Sequence, residues 1–358
     1  KRLQNRVLIM GHRTLWTKNV NIQIPNNKFP TNQEIEELID SKLPGSQHGW
    51  FESTSGLQLH YRSMLPSSGQ PPKAVVVFAH GIHATGGKAY FLQDGSPLSM
   101  ALLRQRLVEE KGYALYALDM LGHGFSEGSR FLVPNWHINR DDLAAFCRHS
   151  AKQQDQSLPF FIMGESYGSC LTLHVGKMFQ DDPSKAPKHF QGVIVTAPAI
   201  VANLPHPIVV AVLRYGLAPF FPEWVPFFMP HPVSPDRVWR VEEVRTLNME
   251  ESAKWGLSAS AKPFKLGTAL NMLLAVEDVR QSVIPGLTIP FCAIHGTEDN
   301  AVLPASTDFL EEHAQTPKDD RAILRLEGAY HDLFGDPLRN EATDFIIKFI
   351  ENRIETMK

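Results

Sequence analysis

Two serines of this chain, Ser126 and Ser166, each stand in a G-x-S-x-G pentapeptide, GFSEG at 124–128 and GESYG at 164–168. A serine hydroxyl is a poor nucleophile near neutral pH. It becomes reactive when an imidazole takes its proton and a carboxylate orients that imidazole. Glycines flank such a serine because the sharp strand-to-helix turn that exposes it leaves no room for side chains. Context separates the two copies. Ser166 follows the apolar run LPFFIM and opens the helical run SCLTLHVGKMF, which gives strand, turn and helix in order. Ser126 follows LDMLG and precedes FLVPNW, with a proline and no immediate helix, and reads as a loop residue.

Partners for Ser166 are expected downstream in the order acid, then histidine. The strand-like run 289–294 ends in HGTED, and the run 322–326 is followed by GAYH, so Asp299 is the expected acid and His331 the expected base. The chain has 15 histidines, most of which must be surface or structural residues. His295 reads as a packing residue at a strand end, Glu298 competes with Asp299, and Asp332 reads as a loop hydrogen-bonder beside His331. The oxyanion of an acyl-transfer intermediate needs two backbone N–H donors. Tyr167, after the nucleophile and at a helix start, supplies one, and Ile82, in the HGIH segment after AVVVFA, supplies the other. His80 and His83 lack a third ligand nearby, so no metal site is expected there.

The elements that must hold these residues alternate. Apolar runs at 74–79, 114–118, 160–163, 192–196, 289–294 and 322–326 read as buried strands, preceded by a hairpin over 49–64. Segments 98–111, 139–153, 166–179 and 341–356 carry a helical period. The order predicts an α/β domain with a mostly parallel central sheet flanked by helices. Strand signals vanish over 200–276, which reads as an inserted cap. The expected organisation is an extension at 1–48, core at 49–199, cap at 200–276 and core again at 277–358.

Composition is that of an ordinary globular chain, 43% hydrophobic and 20% charged over 358 residues, and a net charge of -3 argues against nucleic acid as a partner. Residues 1–33 hold six basic and no acidic residues. They read as a solvated extension, with a targeting remnant or a strip attracted to anionic lipid as the other readings. Cys147, Cys170 and Cys292 have no C-x-x-C spacing and read as reduced core residues. No apolar stretch is long enough to span a bilayer, so a cytoplasmic or membrane-peripheral protein is expected.

From about 50 to 350 the chain resembles the monoacylglycerol lipase and lysophospholipase-like branch of the α/β-hydrolases, particularly its plant-like members. The ordered motifs are His80-Gly81, LDMLGHGFSEG at 118–128, FLVPN at 131–135, GESYG, HGTED and GAYH. The resemblance implies an α/β-hydrolase fold with Ser166, Asp299 and His331 as the triad, and structural roles for Asp119 and His123 in the D-x-x-G-H-G turn. Ser169 stands where the family usually has a second glycine.

The cap holds an apolar run at 208–217 and an aromatic cluster of Phe220, Phe221, Trp224, Phe227 and Phe228. About half of these are expected to pack on the sheet's helices. The rest are expected to line an acyl tunnel or touch a lipid surface. Burial of an acyl chain contributes about 0.8 kcal/mol per methylene, which favours long acyl esters. Hydrolysis of a monoacylglycerol is the leading expectation, with no cofactor and no metal. Lysophospholipase, thioesterase and phenolic-ester esterase activities are alternatives on the same triad, and a non-catalytic receptor is the alternative of another class.

Overall fold

The structure, a computed structural model, describes residues 32–201, 206–227, 229, 231, 233–258 and 262–357. Its frame is an eight-stranded sheet. The chain enters through helix α1 (Asn32–Lys42) and a hairpin of β1 (Gln47–Glu52) and β2 (Gln58–Met64). Then follow β3 (Val75–Ala79), a small ribbon of β4 (Ala89–Phe91) and β5 (Pro97–Ser99), helix α2 (Met100–Leu103) and β6 (Ala114–Leu118). Helix α3 (Trp136–Lys152), β7 (Phe160–Glu165), α4 (Tyr167–Asp181) and β8 (Phe190–Thr196) continue the alternation. After a helical excursion come β9 (Phe291–Gly296), α9 (Ala305–His313), β10 (Arg321–Leu326) and α10 (Arg339–Glu355).

The sheet order is β1-β2-β6-β3-β7-β8-β9-β10. The pairings β1/β2 and β2/β6 are antiparallel and the rest parallel. In β3 the strand period sorts the side chains. Val75, Val77 and Ala79 join the layer with Phe146 of α3 and Leu171 of α4, and Val76 and Phe78 join the layer with Met100 of α2 and Ile346 of α10. A strand covered on both faces needs no polar positions, which is why AVVVFA is unbroken. The three cysteines are buried and unbridged.

Part of the expected extension belongs to this core. Ile35 and Ile39, one turn apart on α1, and Leu43 just after it are buried, each contributing about 1.5–3 kcal/mol. β1 also starts two residues before the boundary expected at 48/49.

Between β8 and β9 the described residues form helices and loops only: α5 (Pro207–Ala211), running on as a wider coil through Val212–Leu217, then α6 (Pro235–Val238), α7 (Glu242–Trp255) and α8 (Leu266–Asp278). α8 packs against α3 and α4 and runs through the boundary expected at 276. No helix among the described residues is long and apolar enough to cross a membrane.

Candidate active site

Parallel strands direct the loops at their carboxyl ends to one rim of the sheet. Ser166 follows β7, Gly81 and Ile82 follow β3, Asp299 follows β9 and His331 follows β10. The strands that precede Asp299 and His331 are neighbours, paired from Arg321 opposite Phe291 to Leu326 opposite Gly296.

At Ser166 the backbone turns from strand to helix with φ of 56°, a left-handed value that a non-glycine residue adopts at a cost of order 1–3 kcal/mol. Its neighbours hold it there. Ser166 N–H donates to Thr196 O at 2.9 Å, and Ser166 O accepts from Ser169 and Ala199 N–H. A Cβ at Gly168 would lie 2.1 Å from Ala79 O, and one at Gly164 2.5 Å from Gly168 C, so both motif glycines are sterically required. Ser169 fits where a glycine is usual because its hydroxyl works inside the turn. Its Oγ bridges Gly164 O at 2.6 Å and the N–H of Thr196 at 3.0 Å.

Asp299 is 3% exposed and fully engaged. Oδ2 accepts from His331 Nδ1 at 2.7 Å and from His295 Nε2 at 3.1 Å, and Oδ1 accepts from the N–H of Ala301 and Val302 at 2.8 and 2.9 Å. Burial opposes its charge, yet His331 and His295 outweigh that and hold the carboxyl well below the usual range. His295 is thus a second donor to the acid, locked by Thr307 Oγ1 at 2.9 Å. Glu298 is exposed. With Nδ1 of His331 committed to Asp299, Nε2 is the nitrogen left for another partner. Burial lowers the affinity of His331 for a proton, but the carboxylates of Asp299, Glu165 and Asp332 raise its pKa above the ordinary value.

Ser166 and His331 line one small cleft of about 50 Å³ with Gly81, Ile82, Lys88, Glu165 and Trp239. Gly81 lies so close that an added Cβ would stand 3.2 Å from Ser166 Cβ. Tyr167 is the first residue of α4, so its N–H falls outside the helix ladder. Ile82 lines the cleft, and Tyr167 directly follows Ser166 at the helix start.

The cleft has polar walls that local sequence patterns did not reveal. Lys88 Nζ donates to Asp332 Oδ2 at 2.8 Å, Trp239 Nε1 donates to the same oxygen at 2.7 Å, and Gly335 N–H donates to Oδ1 at 2.9 Å. Glu165, the second residue of GESYG, is pushed up to about 7 by burial and by Asp332, partly offset by Lys88 and His331. These groups come from four separate stretches of chain.

Ser166 also borders a cavity of about 660 Å³, walled by aliphatic residues such as Val210, Leu213, Met229, Leu273 and Val302 with Phe264. The expected aromatic lining is corrected here. Phe220, Phe221, Trp224 and Phe227 are exposed and do not line this cavity, and Phe228 lies outside the described residues. The reason is local. Pro219, Pro222 and Pro226 prevent a continuous helix, and the segment lies across the start of α8, where Pro222 O and Trp224 O accept the N–H groups of Gly267 and Leu266 at 2.8 and 2.9 Å. With that backbone turned to α8, the aromatic side chains point outward.

His80 offers no metal ligand. Its Nδ1 pairs with Gly81 O at 2.7 Å and its Nε2 accepts from Met120 N–H at 3.0 Å. Asp119 accepts from the N–H of Gly86 at 2.7 Å and Phe125 at 3.0 Å, and from His60 Nδ1 at 2.9 Å. Burial opposes its ionisation, but the His60 bond prevails and the carboxyl is lowered to about 2. Ser126 is buried, donating to Asp119 O at 2.6 Å and accepting from His60 N–H at 2.8 Å.

Residues 70–338 match the family described as serine aminopeptidase, S33. Caffeoylshikimate esterase of Arabidopsis thaliana is 26% identical over 323 residues, covering 89% of this chain and 88% of that protein. Monoglyceride lipase of Rattus norvegicus is 26% identical over 281 residues, covering 78% and 81%. Among solved structures, a soluble variant of monoglyceride lipase from Saccharomyces cerevisiae in complex with a substrate analog superposes with a TM-score of 0.63 at 16% identity, covering 86% of this chain and 94% of that one. The chain belongs to the S33 serine aminopeptidase family, has the α/β-hydrolase fold, and is similar to the monoacylglycerol lipase-like branch of it. It is a serine hydrolase whose class of reaction is carboxylic ester hydrolysis.

Proposed function

We propose that the enzyme hydrolyses long-chain monoacylglycerols through an acyl-enzyme on Ser166. The observation that carries this reading is the pair of unlike spaces meeting at the serine: a large apolar cavity for an acyl chain and a small polar cleft for the alcohol. Ser166 Oγ attacks the ester carbonyl carbon while His331 Nε2 takes its proton and Asp299 holds the imidazolium. The N–H groups of Ile82 and Tyr167 stabilise the oxyanion. Collapse of the intermediate expels the alcohol, which leaves with the proton from His331. Water, deprotonated by the same imidazole, then releases the fatty acid.

Glu165 and Lys88 supply an acceptor and a donor for alcohol hydroxyls, and about 50 Å³ suits a glycerol better than a phosphocholine group. Phe220, Phe221, Trp224 and Phe227, with Ile208 and Tyr215, are exposed apolar residues of the cap, of the kind suited to a lipid interface. The relatives named for monoglyceride lipase activity support the substrate.

The test is free fatty acid release from monoacylglycerols of increasing chain length, beside lysophospholipids, a caffeoyl ester and an aminoacyl amide. Each methylene buried contributes about 0.8 kcal/mol, so kcat/KM should rise by up to roughly fourfold per CH₂ until the cavity is full. A preference for acetyl or butyryl esters would overturn the acyl assignment, and faster cleavage of the caffeoyl ester would move the substrate to the phenolic class.

A further inference from the structure

Three potential metal ligands converge away from the active site. Glu36 comes from α1, His48 from β1 and His60 from β2, and one ligand atom of each lies within 4.8 Å of the other two. The hairpin register explains the meeting. Trp50 faces His60 and His48 faces Arg62, so His48 and His60 occupy the same face, two positions apart along the ladder. α1 lies over that face, where its Asp40 pairs with Arg62 and Glu36, one turn earlier, stands above the two imidazoles.

His60 Nδ1 donates to the ionised Asp119 at 2.9 Å, which fixes its tautomer and leaves a lone pair on Nε2. That nitrogen is buried and has no hydrogen-bond partner, in a residue 1% exposed. It looks at Glu36 Oε1 from 3.6 Å, beyond hydrogen-bond reach, and His48 Nδ1 stands 3.5 Å from the same oxygen. Of the three groups His60 is buried, Glu36 half-buried and His48 exposed, and a lone pair facing a carboxylate is repulsive unless a proton or a metal cation lies between them. The two separations from Glu36 Oε1, 3.5 and 3.6 Å, suit a metal ion. With bonds of 2.0–2.2 Å, tetrahedral zinc places its ligand atoms about 3.3 Å apart.

We propose that Glu36, His48 and His60 bind a zinc ion, with water in the fourth position. Two imidazoles and a carboxylate suit Zn²⁺, and the carboxylate of Asp119 behind His60 is the outer partner that orients a ligating imidazole. The site is structural. None of its three ligands lines the cavity or the cleft, and the ion would fasten α1 to the hairpin at the sheet's edge.

The experiment is titration of tag-free, chelator-treated full chain with ZnCl₂ by calorimetry, with metal content measured after dialysis and Tm measured with and without the ion. A parallel titration with Co²⁺ reads the ligand field by visible absorption. His60 is tied to Asp119, so its replacement endangers folding; Glu36→Gln and His48→Ala leave that pair intact. The expected result is one zinc per chain, a higher Tm with zinc, and at least about tenfold weaker binding in each variant. Absence of stoichiometric zinc in the parent chain would overturn the proposal, leaving only a shared proton between His60 and Glu36. Zinc uptake undiminished in both variants would overturn it equally, by placing the ion on other histidines.

Discussion

The same five-residue pattern, G-x-S-x-G, lies in two places in this molecule and in opposite settings. In GESYG the serine stands at a strand-to-helix turn with φ of 56°, and it borders both the apolar cavity and the polar cleft. In GFSEG the serine is spent on structure, with its hydroxyl between Asp119 O and His60 N–H. The glycines differ likewise. Those of the first copy clear space for backbone, whereas a Cβ at Gly124 would strike the Asp119 carboxylate at 2.0 Å. The two serines differ in what surrounds the hydroxyl, two backbone partners at Ser126 and a cleft shared with His331 at Ser166, and pattern alone specifies neither.

Substitutions can break this contrast. Ser166→Ala should lower kcat by a factor on the order of 10⁶ in a chain that melts at the parent temperature; retained turnover would shift the nucleophile elsewhere. Asp299→Asn keeps the shape but forces the wrong tautomer on His331, and a loss of about 10⁴ in kcat is expected, measured by single-turnover acylation. Ser126→Ala should leave kcat within a few-fold of the parent while costing about 1–3 kcal/mol of stability, because a buried acceptor and a buried donor lose their partner together; denaturant titration reads this, and a kcat collapse at unchanged stability would contradict it.

The smallest effect expected is one of pH. The proposed mechanism needs neutral His331, whose pKa burial lowers but Asp299, Glu165 and Asp332 together hold above 6.5. Activity should therefore rise with pH through a midpoint above 6.5, and Glu165→Gln, which removes one of those charges, should move the limb to lower pH. An unmoved or raised midpoint in the kcat/KM profile would count against electrostatic contact between Glu165 and His331.

The sheet and the placing of Ser166, Asp299 and His331 at one rim of it were legible because their signals are local. Unbroken apolar runs mark strands buried on both faces, and each chemical residue follows one. His295 was readable only as a packing residue, since its bond to Asp299 depends on how the β9 loop folds back. The Lys88, Asp332 and Trp239 network joins three distant stretches, and Glu36, His48 and His60 meet only through helix docking and strand register, which no spacing encodes. The aromatic cluster misled because hydrophobic type suggests burial, whereas the prolines and the open start of α8 decided which way the segment faced.

β10 is the last strand of the sheet, bonded on one side only, and His331 rides on the loop that follows it. Ser166 follows β7, which has a neighbour on each side. Native proteins open in cooperative pieces, edges before centres. Amides of β10 should accordingly exchange with solvent sooner than those of β7, and each such opening carries the base away from a nucleophile that stays in place. The enzyme's working lifetime under mild stress is then set by the free energy of one peripheral strand and the helix behind it, not by the melting of the whole domain.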